Sequence, residues 1–98
     1  MSMLIIAGYI EVPSEQRDAF ATAHQDLIER AREAPGCLDV AISADCANPA
    51  RVNNYERWES WSHVEAWRAV ANAPDTGIPI LRVEVQAYEI AAIRPPFE

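Results

Sequence analysis

The sequence predicts an α+β fold of the ferredoxin-like type, with the order βαββαβ and an antiparallel sheet carrying both helices on one face. Three observations lead there. Apolar residues alternate with period two in four segments and recur at helical spacing in two others. Breakers fall between the segments, at Pro35-Gly36, Asn48-Pro49 and Pro74-Asp75. The first and last strands are apolar on both faces, which two helices on one side of a sheet leave half uncovered.

Leu4 to Val12, rich in β-branched and aromatic residues, reads as the first strand. Pro13 turns the chain and Ser14 is a helix N-cap. Phe20, His24, Leu27, Ile28 and Ala31 repeat at helical spacing, so 14–34 reads as one amphipathic helix. Glu15 and Asp18 in its first turn and Arg30 and Arg32 near its end suit the helix dipole. Pro35-Gly36 ends it, and 37–43 alternates as the second strand. Residues 44–50 read as a hairpin loop, and 51–58 as the third strand. Ser60 and Ser62 compete as caps of a second helix that runs to about Asn72, and Ser62 with Glu65 fits a capping box. After a connector, 82–93 reads as the fourth strand and 94–98 as a tail.

The chain of 98 residues is half hydrophobic, which suits a single domain over 1–98. Strand one shows Leu4, Ile6, Ile10 and Val12 on one face and Ile5, Ala7 and Tyr9 on the other. Strand four shows Val83, Val85 and Ala87 against Tyr88 and Ile90. The economical cover for the second face is another copy of the chain, so a homodimer is expected, with Tyr9 in its interface. The net charge of −7, with eight Arg and no Lys, argues against nucleic acid and anionic membranes as partners, because both need a basic footprint. Cys37 and Cys46 lack CxxC spacing and read as free thiols. The apolar run 3–7 is too short for a signal peptide or a span, so the chain reads as cytoplasmic. With three glycines and two distant histidines there is no Gly-rich phosphate loop and no dedicated metal site.

The third strand holds the candidate chemistry. Val52, Asn54, Glu56 and Trp58 share one face, and Asn53, Tyr55 and Arg57 the other. An amide, a carboxylate and an indole on an inward face are what a small-molecule pocket needs. Each also has a plainer reading: Asn54 satisfies a neighbouring polar group, Trp58 packs in the core, and Glu56 pairs with an Arg. His24, on the apolar stripe beside Phe20, is either a core-edge histidine bonded to a backbone carbonyl or a pocket base. Trp67 faces inward with Val64, while His63 begins the second helix.

Four segments carry a family resemblance: Gly8-Tyr9-Ile10-Glu11-Val12, Ala34-Pro35-Gly36-Cys37-Leu38, Tyr55-Glu56-Arg57-Trp58-Glu59-Ser60, and Val83 to Ile90. Together they resemble the antibiotic biosynthesis monooxygenase family of the dimeric α+β barrel superfamily, in which the open sheet faces of two chains close a barrel. The resemblance implies a cofactor-independent monooxygenase, an oxidoreductase using molecular oxygen as co-substrate on a small aromatic, polyketide or quinol. Asn54 and Trp58 match the Asn-x-x-x-Trp pattern that lines the substrate pocket in the family's oxygenases. The Tyr those enzymes use early in the second helix falls here near Val64, leaving Trp61 or His63 to substitute. Haem-degrading relatives carry an Asn where this chain has Gly8 and a His after the position of Trp67; neither is present, so haem is not expected.

The expected catalytic residues are Asn54 and Trp58 as N–H donors to a developing oxyanion and His24 as base, with Phe20, Glu56, His63, Trp67 and Tyr88 around the substrate. A non-catalytic small-molecule binding or stress protein, a haem-degrading relative and an isomerase remain as alternatives.

Overall fold

The computed structural model describes residues 2–97; Met1 and Glu98, the ends of the expected 1–98 domain, lie outside the described residues. The strands are β1 (Leu4–Glu11), β2 (Cys37–Ala44), β3 (Arg51–Trp58) and β4 (Arg82–Glu89), in the sheet order β2-β3-β1-β4, antiparallel throughout. A 3₁₀ turn (Ser14–Gln16) leads into α1 (Arg17–Ala23) and α2 (Gln25–Arg32), and α3 (Trp61–Val70) follows β3. This is the ferredoxin-like α+β order that the hydrophobic pattern predicts.

The differences have local causes. The helix expected as one piece over 14–34 is two, divided at His24, whose side chain competes for a backbone carbonyl (below). The last helix ends at Val70, not Asn72. Ser60, not Ser62, is its N-cap, because the Ser60 hydroxyl accepts the His63 backbone N–H. β4 stops at Glu89 rather than residue 93: past Ile90, which still donates to the Met3 carbonyl, it has no β1 backbone to pair with.

Side chains of Leu4, Ile6, Val40, Val52 and Trp58 point to the helical side and are buried there. Two clusters form. One joins Leu4, Ile6, Ala31, Val40, Trp58 and Val64, and the other joins Val12, Phe20 and Val52. The opposite face carries no helix. In register it presents Ile5 with Tyr88 and Arg57, Ala7 with Tyr55, and Tyr9 with Asn53. The Arg51 guanidinium lies 3.9 Å over the Tyr9 ring. β4 is exposed along most of its length, Val83 and Tyr88 included. Burial of strand four on both faces, as its pattern suggests, does not occur within one chain.

The β2–β3 loop is tied to α1. Arg17 Nη1 donates to the carbonyls of Asp45 (2.6 Å) and Asn48 (2.7 Å). Asp45 in turn accepts from the Asn53 amide (2.9 Å) and from the backbone N–H groups of Asn48 and Ala47. Those donors hold its carboxyl below the usual carboxylate range. The knot fixes α1, and with it Phe20 and His24, over β3. Cys37 and Cys46 are both free, and burial pushes the Cys37 thiol up.

Candidate functional site

Between the two core clusters lies a cavity of about 340 Å³, within the range of small-ligand sites. The sheet floors it with Ile6, Val52, Asn54, Glu56 and Val85; α1 and α2 wall it with Phe20, His24, Leu27 and Ala31; and α3 adds Trp67 and Arg68. Most of this lining is apolar, so the few polar groups decide what it can bind.

Glu56 is the central one. It shares a strand face with Asn54 and Trp58, two positions away on either side. The Asn54 Nδ2 amide donates to its Oε2 (3.1 Å) and the Trp58 indole Nε1–H donates to its Oε1 (2.9 Å). A carboxylate offers about four acceptor positions, so two remain for a ligand. The plainer expectation of an Arg partner for Glu56 is not met: its partners are neutral. Of the donors expected to reach a substrate oxyanion, the single Trp58 N–H and one of the two Asn54 N–H groups go to Glu56 instead.

His24 faces the same cavity from the helix break. In an unbroken helix its backbone N–H would reach the Phe20 carbonyl. Here that N–H bonds Ala21 O (3.1 Å), and the ring Nδ1 takes Phe20 O at 2.8 Å. A carbonyl only accepts, so Nδ1 carries a proton and Nε2 of the neutral ring is the acceptor. Ile28 N–H then bonds His24 O (3.0 Å) and restarts the ladder. The Phe20 ring, centred 4.6 Å away, packs against the imidazole. The plainer reading of His24, a bond to a backbone carbonyl, is met, and that bond positions a ring that lines the cavity.

Of the remaining expected residues, the fold brings Phe20 and Trp67 to the cavity and leaves three outside. Trp58 is fully buried in the first cluster, its ring stacked near Trp67 at 6.5 Å between centroids. It touches the cavity only through Glu56. His63 points the other way, Nδ1 to Ser60 Oγ at 2.7 Å, its ring against Gly36. Gly36, at φ +79°, has no room there for a Cβ. Tyr88 pairs with Ile5 on the helix-free face and is exposed. Arg68 and Ile80 line the cavity without having been singled out. The signal for Arg68 was available: Val64, Trp67 and Arg68 lie at i, i+3 and i+4 on one helix side.

The sequence model of the family described as "antibiotic biosynthesis monooxygenase" matches residues 3–73. The chain belongs to the antibiotic biosynthesis monooxygenase family. Solved structures agree in fold. A provisionally named antibiotic biosynthesis monooxygenase from Deinococcus radiodurans superposes with a TM-score of 0.82 at 17% identity, over 97% of this chain and 99% of that one. Another, from Chloroflexus aurantiacus, gives 0.74 at 24% identity, over 96% and 98%. No curated protein matches the chain in sequence. Val64, near which the resemblance predicts the oxygenases' helix-borne Tyr, is buried in the core. Neither neighbour named for that role in the sequence replaces it, since Trp61 is exposed and His63 clasps the Gly36 turn. Among the described residues no group of three or more His, Cys, Asp and Glu side chains could hold a metal ion, and no helix is long and apolar enough to cross a membrane.

Proposed function

We propose that the protein is a cofactor-independent monooxygenase of a small hydroxylated aromatic such as a quinol or anthrone. The observation that carries this reading is the pair of titratable side chains, Glu56 and His24, lining one apolar cavity from sheet and helix. The substrate hydroxyl donates to the free lone pairs of Glu56, which Asn54 and Trp58 hold in one orientation. His24 Nε2 takes the acidic proton, from the ring carbon of an anthrone or the second hydroxyl of a quinol. The anion then reduces molecular oxygen by one electron, and substrate radical and superoxide combine at carbon. For an anthrone, the hydroperoxide formed at the CH carbon loses water: the C–H proton leaves, the O–O bond breaks, and a carbonyl remains. One oxygen atom stays in the product and the other becomes water, so the substrate supplies all four electrons. The apolar walls exclude bulk water from the anion.

Oxygen uptake by purified protein, measured against a panel of quinols and anthrones, tests this. Uptake should occur without added cofactor and fall about tenfold or more in Asn54→Ala, because Glu56 loses one of its two anchors. An Asn54→Ala rate equal to wild type would remove strand three from the mechanism.

A second reading, ligand binding without turnover, draws on one observation: the Trp58 indole N–H and one Asn54 N–H are already engaged by Glu56, so the donors on the third strand are turned to the carboxylate rather than to a substrate oxygen. It predicts saturable binding of hydroxylated aromatics with no oxygen consumed.

The assembly we propose is a homodimer closed through the helix-free sheet face. Supporting it, that face bears Ile5, Ala7, Tyr9 and Tyr55, and Arg57 Nε on it is buried without a hydrogen-bond partner among the described residues. Sedimentation equilibrium should return twice the mass of 10.9 kDa at micromolar concentration. Replacing Tyr55 by Arg should return the monomer mass, since it sets a second buried cation beside Arg57.

A further inference from the structure

The cavity has two ends of opposite charge. At the inner end, Glu56 pairs across the sheet with buried Ile6 and lies two residues from the fully buried Trp58. At the outer end stands Arg68, on exposed α3 but lining the same cavity. Most cations of this acidic chain are spent elsewhere. Arg17, Arg30, Arg32, Arg51 and Arg82 all make ion pairs. Arg68 makes neither an ion pair nor a side-chain hydrogen bond among the described residues. Helix positions one turn away carry Val64 and Glu65, and the Glu65 carboxylate does not reach it. A guanidinium left free at the rim of an apolar cavity has five N–H donors in a fork that fits a carboxylate.

We propose that the cavity takes a hydroxyaryl carboxylate, its hydroxyl donating to Glu56 and its carboxylate held at the rim by Arg68. This rests on the reading that a ligand hydroxyl meets Glu56. Charge sets the direction of entry. A ligand carboxylate placed at the inner end would sit against the Glu56 carboxylate in a medium of low dielectric, where like charges repel strongly. Placed at the rim, it meets Arg68, the one free cation of the lining among the described residues. Arg68 is thus the residue that selects an acidic ligand over its neutral counterpart.

The test is calorimetric titration with 6-hydroxy-2-naphthoate and with 2-naphthol, which lacks only the carboxylate; neither is a quinol, so binding is read without turnover. The naphthoate should bind about tenfold more tightly at low salt, as a charge-assisted hydrogen bond at an exposed rim allows. That preference should shrink as ionic strength rises. In Arg68→Gln, which keeps a good helix former on an exposed site, naphthoate affinity should fall to that of 2-naphthol. Equal affinities in the wild-type protein, a preference that survives in Arg68→Gln, or no binding of either ligand would overturn the proposal. The outcome is separable from the monooxygenase reading. Arg68-dependent binding in a protein that never consumes oxygen retires the oxygenase and keeps the acidic-ligand site. Oxygen uptake with neutral quinols and no carboxylate preference does the reverse.

Discussion

Replacing His24 by Asn should lower the rate of oxygen uptake by about 10²- to 10³-fold, the usual worth of a positioned general base, while leaving the melting temperature close to that of the wild-type protein. The choice of Asn follows from the geometry. Nδ1 of His24 fixes the helix break by donating to Phe20 O at 2.8 Å. The Asn Nδ2 can make the same local side-chain-to-backbone bond, so the break between α1 and α2 survives and only the acceptor Nε2 disappears. Alanine would be the poorer probe, because as the strongest helix former it favours closing the break and shifting the cavity wall. Glu56→Gln is the companion. It keeps the shape but removes the charge and turns one carboxylate oxygen into an NH₂; set against the Trp58 indole N–H this is donor against donor, so the NH₂ turns to Asn54, whose amide must flip to accept it. If His24 and Glu56 act on one bound substrate, the double variant should lose much less than the product of the two single losses. Multiplicative losses would mean that they serve separate steps. A His24→Asn enzyme of unchanged rate would leave the imidazole with its structural role alone.

Why His24 was legible as a candidate and the break at His24 was not comes down to range. The apolar stripe Phe20, His24, Leu27, Ile28, Ala31 is a property of spacing, and spacing is visible in sequence. The break is a competition between two donors for one carbonyl, which is decided by the ring's rotamer and by Phe20 packing on it. The same division runs through strand three. Alternation correctly placed Asn54, Glu56 and Trp58 on one face, because period two is a fixed property of a strand. Which of the three reaches the cavity was a matter of depth along the strand. Trp58 pairs with Leu4 and Cys37 at the end where the first core cluster closes, so its indole is buried and only its N–H acts on the site, through Glu56. Glu56 lies one step nearer the gap between the clusters, and that gap is the cavity. An Arg partner was the natural expectation for a half-buried carboxylate, yet its own strand neighbours were already within reach.

Patterning along β4 was harder to read for a different reason. Its apolar residues on both faces look like a strand buried on both sides, but β4 is an edge strand, and α3 packs against β3 rather than covering it. Its apolar residues are exposed on both sides: Val83 lies in register with Ile10 on the helical side, and Tyr88 with Ile5 on the helix-free face. The family resemblance likewise carried the fold, while the surroundings of individual side chains depended on packing: Val64, near which the resemblance predicts a Tyr, is a core residue.

Gly8→Ala should be the most damaging small change in the sheet, costing about 3 kcal/mol by the sum of backbone strain and overpacking and lowering the melting temperature by roughly 15 °C for a domain of this length. Gly8 lies at φ +151°, where a side chain is strained whatever its surroundings. A Cβ there would also run into the backbone carbonyl of Glu84 and the Cα of Val85 on β4. Neither of those is a flexible side-chain end, so β4 must move. Hydrogen exchange should therefore show the amides of 82–89 losing protection while the β2–β3 pairing keeps it. Gly77→Ala is the matched control. At φ +69° it is also strained, but nothing lies within 4 Å of the added Cβ, so it should cost only about 1 kcal/mol. The consequence reaches the site, because Gly8 is in register with Asn54 on one side and Val85 on the other, and both line the cavity. A Gly8→Ala protein that melts within a few degrees of wild type would show that β4 yields easily, and that the cavity wall at Val85 is softer than its hydrogen-bond register implies.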